Sequence, residues 1–237
     1  MELKQLSERI FWYPYEEERD RPILGYIGGN KRALAVDAGH SSLHVRDFYR
    51  ALNTAELPLP DLTAITHWHW DHSFGMPFVQ GLTIAEQRTD VILRDIAKYM
   101  TPEYARSMMV QDEHIGREYA EGQEMKVCGA DIVFRDTLRI DLGELTAELF
   151  HGPSPHTDDC VYVYVPEEKV LFLGDAPCGK YPDWYVDPAK AEEIISRLEE
   201  TDFDTAVSGH WEPQTKEEII SFIRSSYLKQ TDCLQGD

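Results

Sequence analysis

Apolar positions change their spacing along the chain, and each change marks an element. RPILGYIGG and KRALAVDAG are short apolar runs separated by a Gly-Gly-Asn turn signal, which predicts a β-hairpin. Ser41 or Ser42 can cap a helix through FYRALNTAEL, and Pro58 and Pro60 end it. LTAIT reads as a short buried strand and runs straight into HWHWDH. From Thr89 to Met125 the stretches TDVILRDIAKYM and EYARSMMVQDEHIGREYA predict two helices, either a lid over a site or a layer packed on a sheet. After Ala130 the period becomes two: DIVFRD, TLRIDL, LTAELF, CVYVYV and KVLFLG predict strands. One closing helix starts after Asp187-Pro188, and another at Thr215, where Glu218 completes a capping box. This order predicts an α/β fold, a single domain over residues 1–237, with sheets covered by helices on their outer faces.

Composition narrows the class. A chain of 237 residues, 42% hydrophobic and 28% charged, can bury a large core and is not a disordered or fibrous sequence. Asp and Glu outnumber Lys and Arg by 43 to 23, a formal charge of −20, which repels phosphate backbones and anionic lipid. A small-molecule substrate is therefore expected, with no nucleic acid and no membrane as partner. No window approaches the roughly 18 apolar residues of a membrane helix, and MELKQLSERIFWYPYEEERD lacks an export-signal core. The four cysteines stand apart without a Cys-x-x-Cys pair, which favours a reducing compartment and a cytoplasmic location. Oligomeric state stays open, a homodimer being one option.

The chemistry concentrates in His67, Trp68, His69, Trp70, Asp71 and His72. In extended backbone His67 and His69 project to one side and can share a metal. Asp71 and His72 point away from that pair and can reach a second ion, as a two-metal site with ions roughly 3.5–4 Å apart requires. Six residues cannot close two sites. His156, Asp175 and His210 are ligand types that follow predicted strands, and His151 competes with His156 beside the GPSP loop.

HWHWDH, then PHT, GDA and GH, with VDAG upstream, resembles the metallo-β-lactamase-fold hydrolase superfamily over roughly Ile23 to Gln214. The resemblance implies a four-layer αββα sandwich with the site at one edge of the two sheets. It implies one metal on His67, His69 and His156, and a second on Asp71, His72 and His210, with Asp175 bridging. It favours His156 over His151, and it makes Asp37 of VDAG a carboxylate that orients a ligating imidazole. The zinc β-lactamases carry Cys where this chain has Asp175, and Lys where it has Cys178; Asp175 is instead similar to the thioesterases, lactonases and phosphodiesterases of the superfamily.

The implied activity is that of a dinuclear metal-dependent hydrolase. A metal-bridging hydroxide would attack a small ester, thioester, lactone or amide, and Asp71 would orient the nucleophile and carry its proton. A mononuclear iron dioxygenase of sulfur compounds and a phosphodiesterase are the alternatives. Imidazole and carboxylate ligands suit zinc first, and also iron or manganese. Trp68, Trp70, Tyr181, Trp184, Tyr185 and Trp211 are candidates for a pocket wall, or for core. Lys180 can meet a substrate anion or water. Nothing near Cys160 or Cys178 in the sequence suggests a reactive thiolate.

Overall fold

The fold comes from a computed structural model, which describes the backbone of residues 1–234 and the side chains of residues 1–226. Its first half holds strands β1 (Lys4–Gln5), β2 (Ile10–Tyr13), β3 (Leu24–Gly28) and β4 (Ala33–Val36), helix α1 (Ser42–Thr54), strand β5 (Leu62–Ala64) and the single turn α2 (Trp70–Ser73). Strand β6 (Leu82–Glu86), helices α3 (Gln87–Tyr99), α4 (Pro102–Gln111) and α5 (Glu113–Glu118), and strand β7 (Ile132–Phe134) follow. The second half holds β8 (Thr137–Asp141), β9 (Thr146–His151), β10 (Val161–Val165), β11 (Val170–Gly174), α6 (Pro188–Glu200), β12 (Thr205–Ser208), β13 (Gln214–Thr215) and α7 (Lys216–Leu234).

The strands form two mixed sheets, one ordered β1-β2-β3-β4-β5-β6-β7 and the other β13-β12-β11-β10-β9-β8. Period-two patterning explains the layering. Val161, Val163 and Val165 of β10 face the first sheet and meet Ile27, Leu34 and Val36 in a buried inter-sheet core. Tyr162, between them, joins Ile194, Ile195, Leu198, Ile219 and Ile223 of α6 and α7 on the outer face. On the other side Tyr26 and Ala35 pack against Phe48, Ala51 and Leu52 of α1. The result is the expected helix–sheet–sheet–helix order.

Local signals act as the sequence predicts at several ends. β3 and β4 pair antiparallel as the hairpin. Of the two serines, Ser41 caps α1, accepting from the Leu43 and His44 amides. Asp187 caps α6, and Thr215 and Glu218 bond reciprocally in the capping box. The segment from Thr89 to Met125 differs from expectation: it forms three helices. Asp112 interrupts the second predicted helix by leaving helical backbone, and its carboxylate accepts from the His114 and Ile115 amides to start a new one. Leu93 of α3, and Ile115 and Tyr119 at α5, are buried with Ile65, Trp70 and Phe74, so these helices are a packed layer. α4 buries no residue. Strands β1 and β2 had no counterpart in the sequence reading; Ile10 and Trp12 of β2 are core residues.

A buried ion cluster pins this layer to the N-terminal segment. Arg21 donates to Glu118 through Nε (2.8 Å) and Nη2 (3.0 Å), and Ser41 Oγ donates to the same carboxylate. Beside it lie His40 and His44, both fully buried. Burial pushes both imidazoles below their ordinary value of 6.5, His44 well below it.

That arrangement gives the metal-free protein a pH-dependent stability. Below about pH 6.5 the unfolded chain protonates His40 and His44 while the folded chain resists. Stability therefore falls with pH, by about 1.4 kcal/mol per pH unit for each histidine. In the metal-free protein His67 and His69, likewise lowered by burial, add to the trend. Asp20, pushed up to about 6 by burial and by Asp71, and His72 and His210, raised by Asp71 and Asp175, oppose it, leaving four lowered histidines against three opposing groups. Urea titrations of metal-free protein should show a lower midpoint at pH 5.5 than at pH 7. A constant or rising midpoint would contradict this reading.

Candidate metal centre

The two sheets deliver their side chains to one edge, and Asp37 organises the first of them. It follows β4 with a left-handed backbone, φ 65°. Its Oδ1 accepts from the Thr66 amide at 2.8 Å, and its Oδ2 lies 2.7 Å from His72 Nδ1. One carboxylate thus clamps the exit of β5 to the imidazole of α2. His67 and His69 lie between them in non-helical backbone. Asp71 and His72 sit on the helical turn of α2, and Ser73 Oγ locks that turn by donating to the Trp68 and His69 carbonyls. The second sheet contributes His156 from the β9–β10 loop, Asp175 beyond β11, and His210 beyond β12.

These seven side chains converge as two groups of potential ligands, His67 with His69 and His156, and Asp71 with His72, Asp175 and His210; within each, the ligand atoms lie within 4.8 Å of one another. His69 Nδ1 is 2.9 Å from His156 Nε2. Asp71 Oδ2 is 3.1 Å from His210 Nε2 and 3.2 Å from His72 Nε2. Asp175 reaches both groups, with Oδ1 at 3.4 Å from His72 Nε2 and Oδ2 at 3.4 Å from His210 Nε2 and 3.8 Å from His156 Nε2.

Electrostatics divides the groups. Burial holds His67 well below the ordinary imidazole range, aided by His72 and His69, and brings His69 down to about 4, so both keep a neutral nitrogen for a cation. In the second group burial opposes every charge, yet charge pairing wins. His72 and His210 hold the carboxyls of Asp71 and Asp175 well below the carboxylate range. In return Asp71 and Asp175 raise His72, and Asp175 leads in raising His210 to about 10.

Donor chemistry fits a cation pair. His67 Nε2 is buried without a hydrogen-bond partner, a cost of about 1–3 kcal/mol that a ligated ion would remove, and His72 Nε2 and Asp175 Oδ1 are buried with no hydrogen bond beyond their ion-pair contacts. The outer nitrogens are already committed. His72 Nδ1 faces Asp37, His156 Nδ1 donates to the Gly179 carbonyl at 2.7 Å, and His67 Nδ1 lies 3.1 Å from Thr66 Oγ1. Such partners fix ring orientation in metal sites.

His151 turns elsewhere, its Nε2 bonding the Asp158 carbonyl at 2.9 Å. Of the aromatic candidates, Trp70, Tyr181, Trp184 and Trp211 line a cavity of about 550 Å³ over the two groups, and Trp68 lines an adjoining one. Tyr185 lines neither. Trp184 stacks on His156, ring centroids 6.1 Å apart. Burial pushes the Cys178 thiol well up and Cys160 to about 12, in keeping with unreactive thiols.

Two participants escaped the sequence reading. Asp20 Oδ1 lies 3.6 Å from His210 Nδ1, behind the second group. Gly209 leaves room for that group: a Cβ there would stand 2.2 Å from Asp175 Oδ1 and 2.9 Å from His72 Cε1. The glycine before His210 was visible in the sequence as SGHW, but not its closeness to a residue far along the chain.

Two mixed sheets between helical layers, with two His/Asp groups at the strand exits of one edge, define an αββα scaffold built around a candidate dinuclear centre. The chain belongs to the metallo-beta-lactamase superfamily, whose family profile matches residues 25–210. It is 25% identical over 206 residues to the acyl-coenzyme A thioesterase MBLAC2 of Gallus gallus, covering 81% of this chain and 72% of that protein. Among solved structures, the DIM-1 metallo-beta-lactamase exposed to ceftazidime superposes with a TM-score of 0.66 at 17% identity, covering 97% of this chain and 98% of that one. The inverting sec-alkylsulfatase Pisa1 from Pseudomonas sp. gives 0.68 at 13% identity, covering 95% of this chain and 41% of the sulfatase. These two likenesses concern the fold alone.

Proposed function

We propose that the chain is a metal-dependent hydrolase of small acyl thioesters, acyl-coenzyme A among them, with other small esters, lactones and amides as related substrates. The observation that carries this is the second group. Asp71, His72, Asp175 and His210 form a complete His/Asp set beside the first, with Asp175 within reach of both. The thioesterase relative supports the choice of acyl group.

In this reading His67, His69 and His156 would hold one cation and Asp71, His72 and His210 a second, with Asp175 within reach of both groups. Two divalent ions so held, zinc first, would supply a Lewis acid for the acyl carbonyl and would lower the pKa of water towards about 7. Asp37 and the Gly179 carbonyl hold His72 and His156 in orientation. Asp71 orients the attacking water, holds its proton, and passes it to the departing thiol. Trp70, Trp184 and Trp211 shape an apolar wall for the acyl chain and keep bulk water from the carbonyl.

Elemental analysis of purified protein should find two metal ions per chain. A panel of thioesters, lactones, β-lactams and phosphodiesters on the same sample should show thioester turnover that a chelator abolishes and added metal restores. One iron per chain with oxygen uptake and no hydrolysis would instead establish the dioxygenase alternative and end this proposal.

A further inference from the structure

The cleft over the metal centre has two arms of opposite charge. The first carries Glu17, Asp20 and Asp112 against His114, with its aromatic wall. The second, a cavity of about 470 Å³, shares His69, Trp70, His156 and Tyr181 with the first and so meets it at the first ligand group. Its own charged lining is Arg88, Lys180, Lys190, Asp158 and Asp159.

These charges do not cancel. Lys190 is paired with Asp158. Asp159 is buried, its Oδ2 accepting from the Trp68 amide at 3.0 Å and from Thr89 Oγ1 at 2.8 Å, and with its charge counted the three cations and two carboxylates of this lining leave a net of +1. Arg88 and Lys180 remain exposed, and neither is in an ion pair among the described residues. Lys180 is mounted close to the centre: it follows Gly179, whose carbonyl accepts from His156, and its own amide donates to the Tyr185 carbonyl at 2.8 Å. Half-buried Trp68 adds an indole to the same wall. On a chain of charge −20, two unpaired cations beside an indole form a local seat for an anion carrying a ring.

We propose that this second arm binds the phosphate-bearing part of the leaving thiol, while the acyl chain lies in the aromatic, acidic arm; the inference rests on the thioester reading above. A polyanionic thiol gains Coulomb attraction from Arg88 and Lys180 here and meets carboxylates in the other arm, so the charges orient the thioester across the ions.

The test compares acetyl-coenzyme A with S-acetyl-N-acetylcysteamine, its neutral fragment, on metal-loaded wild type and on the Arg88→Glu/Lys180→Glu double variant, both changes being on exposed side chains. The wild type should prefer the phosphorylated thioester, less so as salt rises. The double variant should lose on the order of tenfold or more of the kcat/KM ratio. An unchanged ratio, or no preference in the wild type, overturns the proposal. If the wild type cleaves neither thioester, the thioester reading fails and calorimetry with desulfo-coenzyme A decides the arm separately. Salt-sensitive binding that the double variant loses supports it, and absence of binding to the wild type overturns it.

Discussion

Asp71→Asn should lower kcat/KM for the thioester by about 10²–10⁴-fold while the protein remains folded. Asparagine keeps the shape of the side chain and removes its charge and its proton-accepting oxygen. The carboxylate is buried, 4% exposed, with Oδ2 against His72 and His210, so no water can substitute for it cheaply. A second ion would also lose an anionic oxygen ligand, which would weaken its hold. Steady-state kinetics, metal content and thermal unfolding on one preparation separate these effects. Wild-type turnover by the variant would remove Asp71 from the chemistry.

Gly209→Ala should be as damaging without touching any proposed ligand. The new methyl group overlaps Asp175 Oδ1 and presses on the His72 ring. Asp175 is buried and cannot swing into solvent. Metal content should fall from two ions per chain towards one, and turnover by on the order of 10²-fold, the usual consequence of displacing a reacting group by about 1 Å. Gly25→Ala is the contrasting case. Its Cβ would meet the Phe172 ring at 2.5 Å, in the inter-sheet core. That substitution should cost about 1–3 kcal/mol in denaturant unfolding and leave metal content intact. Two bound ions and wild-type turnover in Gly209→Ala would overturn this expectation.

Much of this was legible because the signals are local. Ser41, Asp187 and the Thr215–Glu218 pair are caps whose partners lie within three residues. A period of two marked the strands of the second sheet. The convergent side chains stood out by ligand type and position after apolar strands, except that only the family resemblance favoured His156 over His151. What stayed hidden depends on contacts between distant segments. Asp112 looks like one more acid on an amphipathic helix, yet it ends α4 and begins α5. The one-turn helix α2 is too short for any periodicity to announce. Arg88 and Lys180 stand far apart in sequence, and their common cavity exists only once α3 and the loop after β11 lie on either side of the centre.

Each ligand group draws on both sheets. His67 and His69 follow a strand of one, and His156 comes from a loop of the other; Asp71 and His72 likewise face Asp175 and His210. Ions seated there would rivet the sandwich shut along that edge, and on the proposed function metal loading and mechanical cohesion would become a single equilibrium. Free metal at a thousand times its dissociation constant would add about 4 kcal/mol per site to the folded state, and a cell starved of metal would lose the protein's rigidity together with its activity.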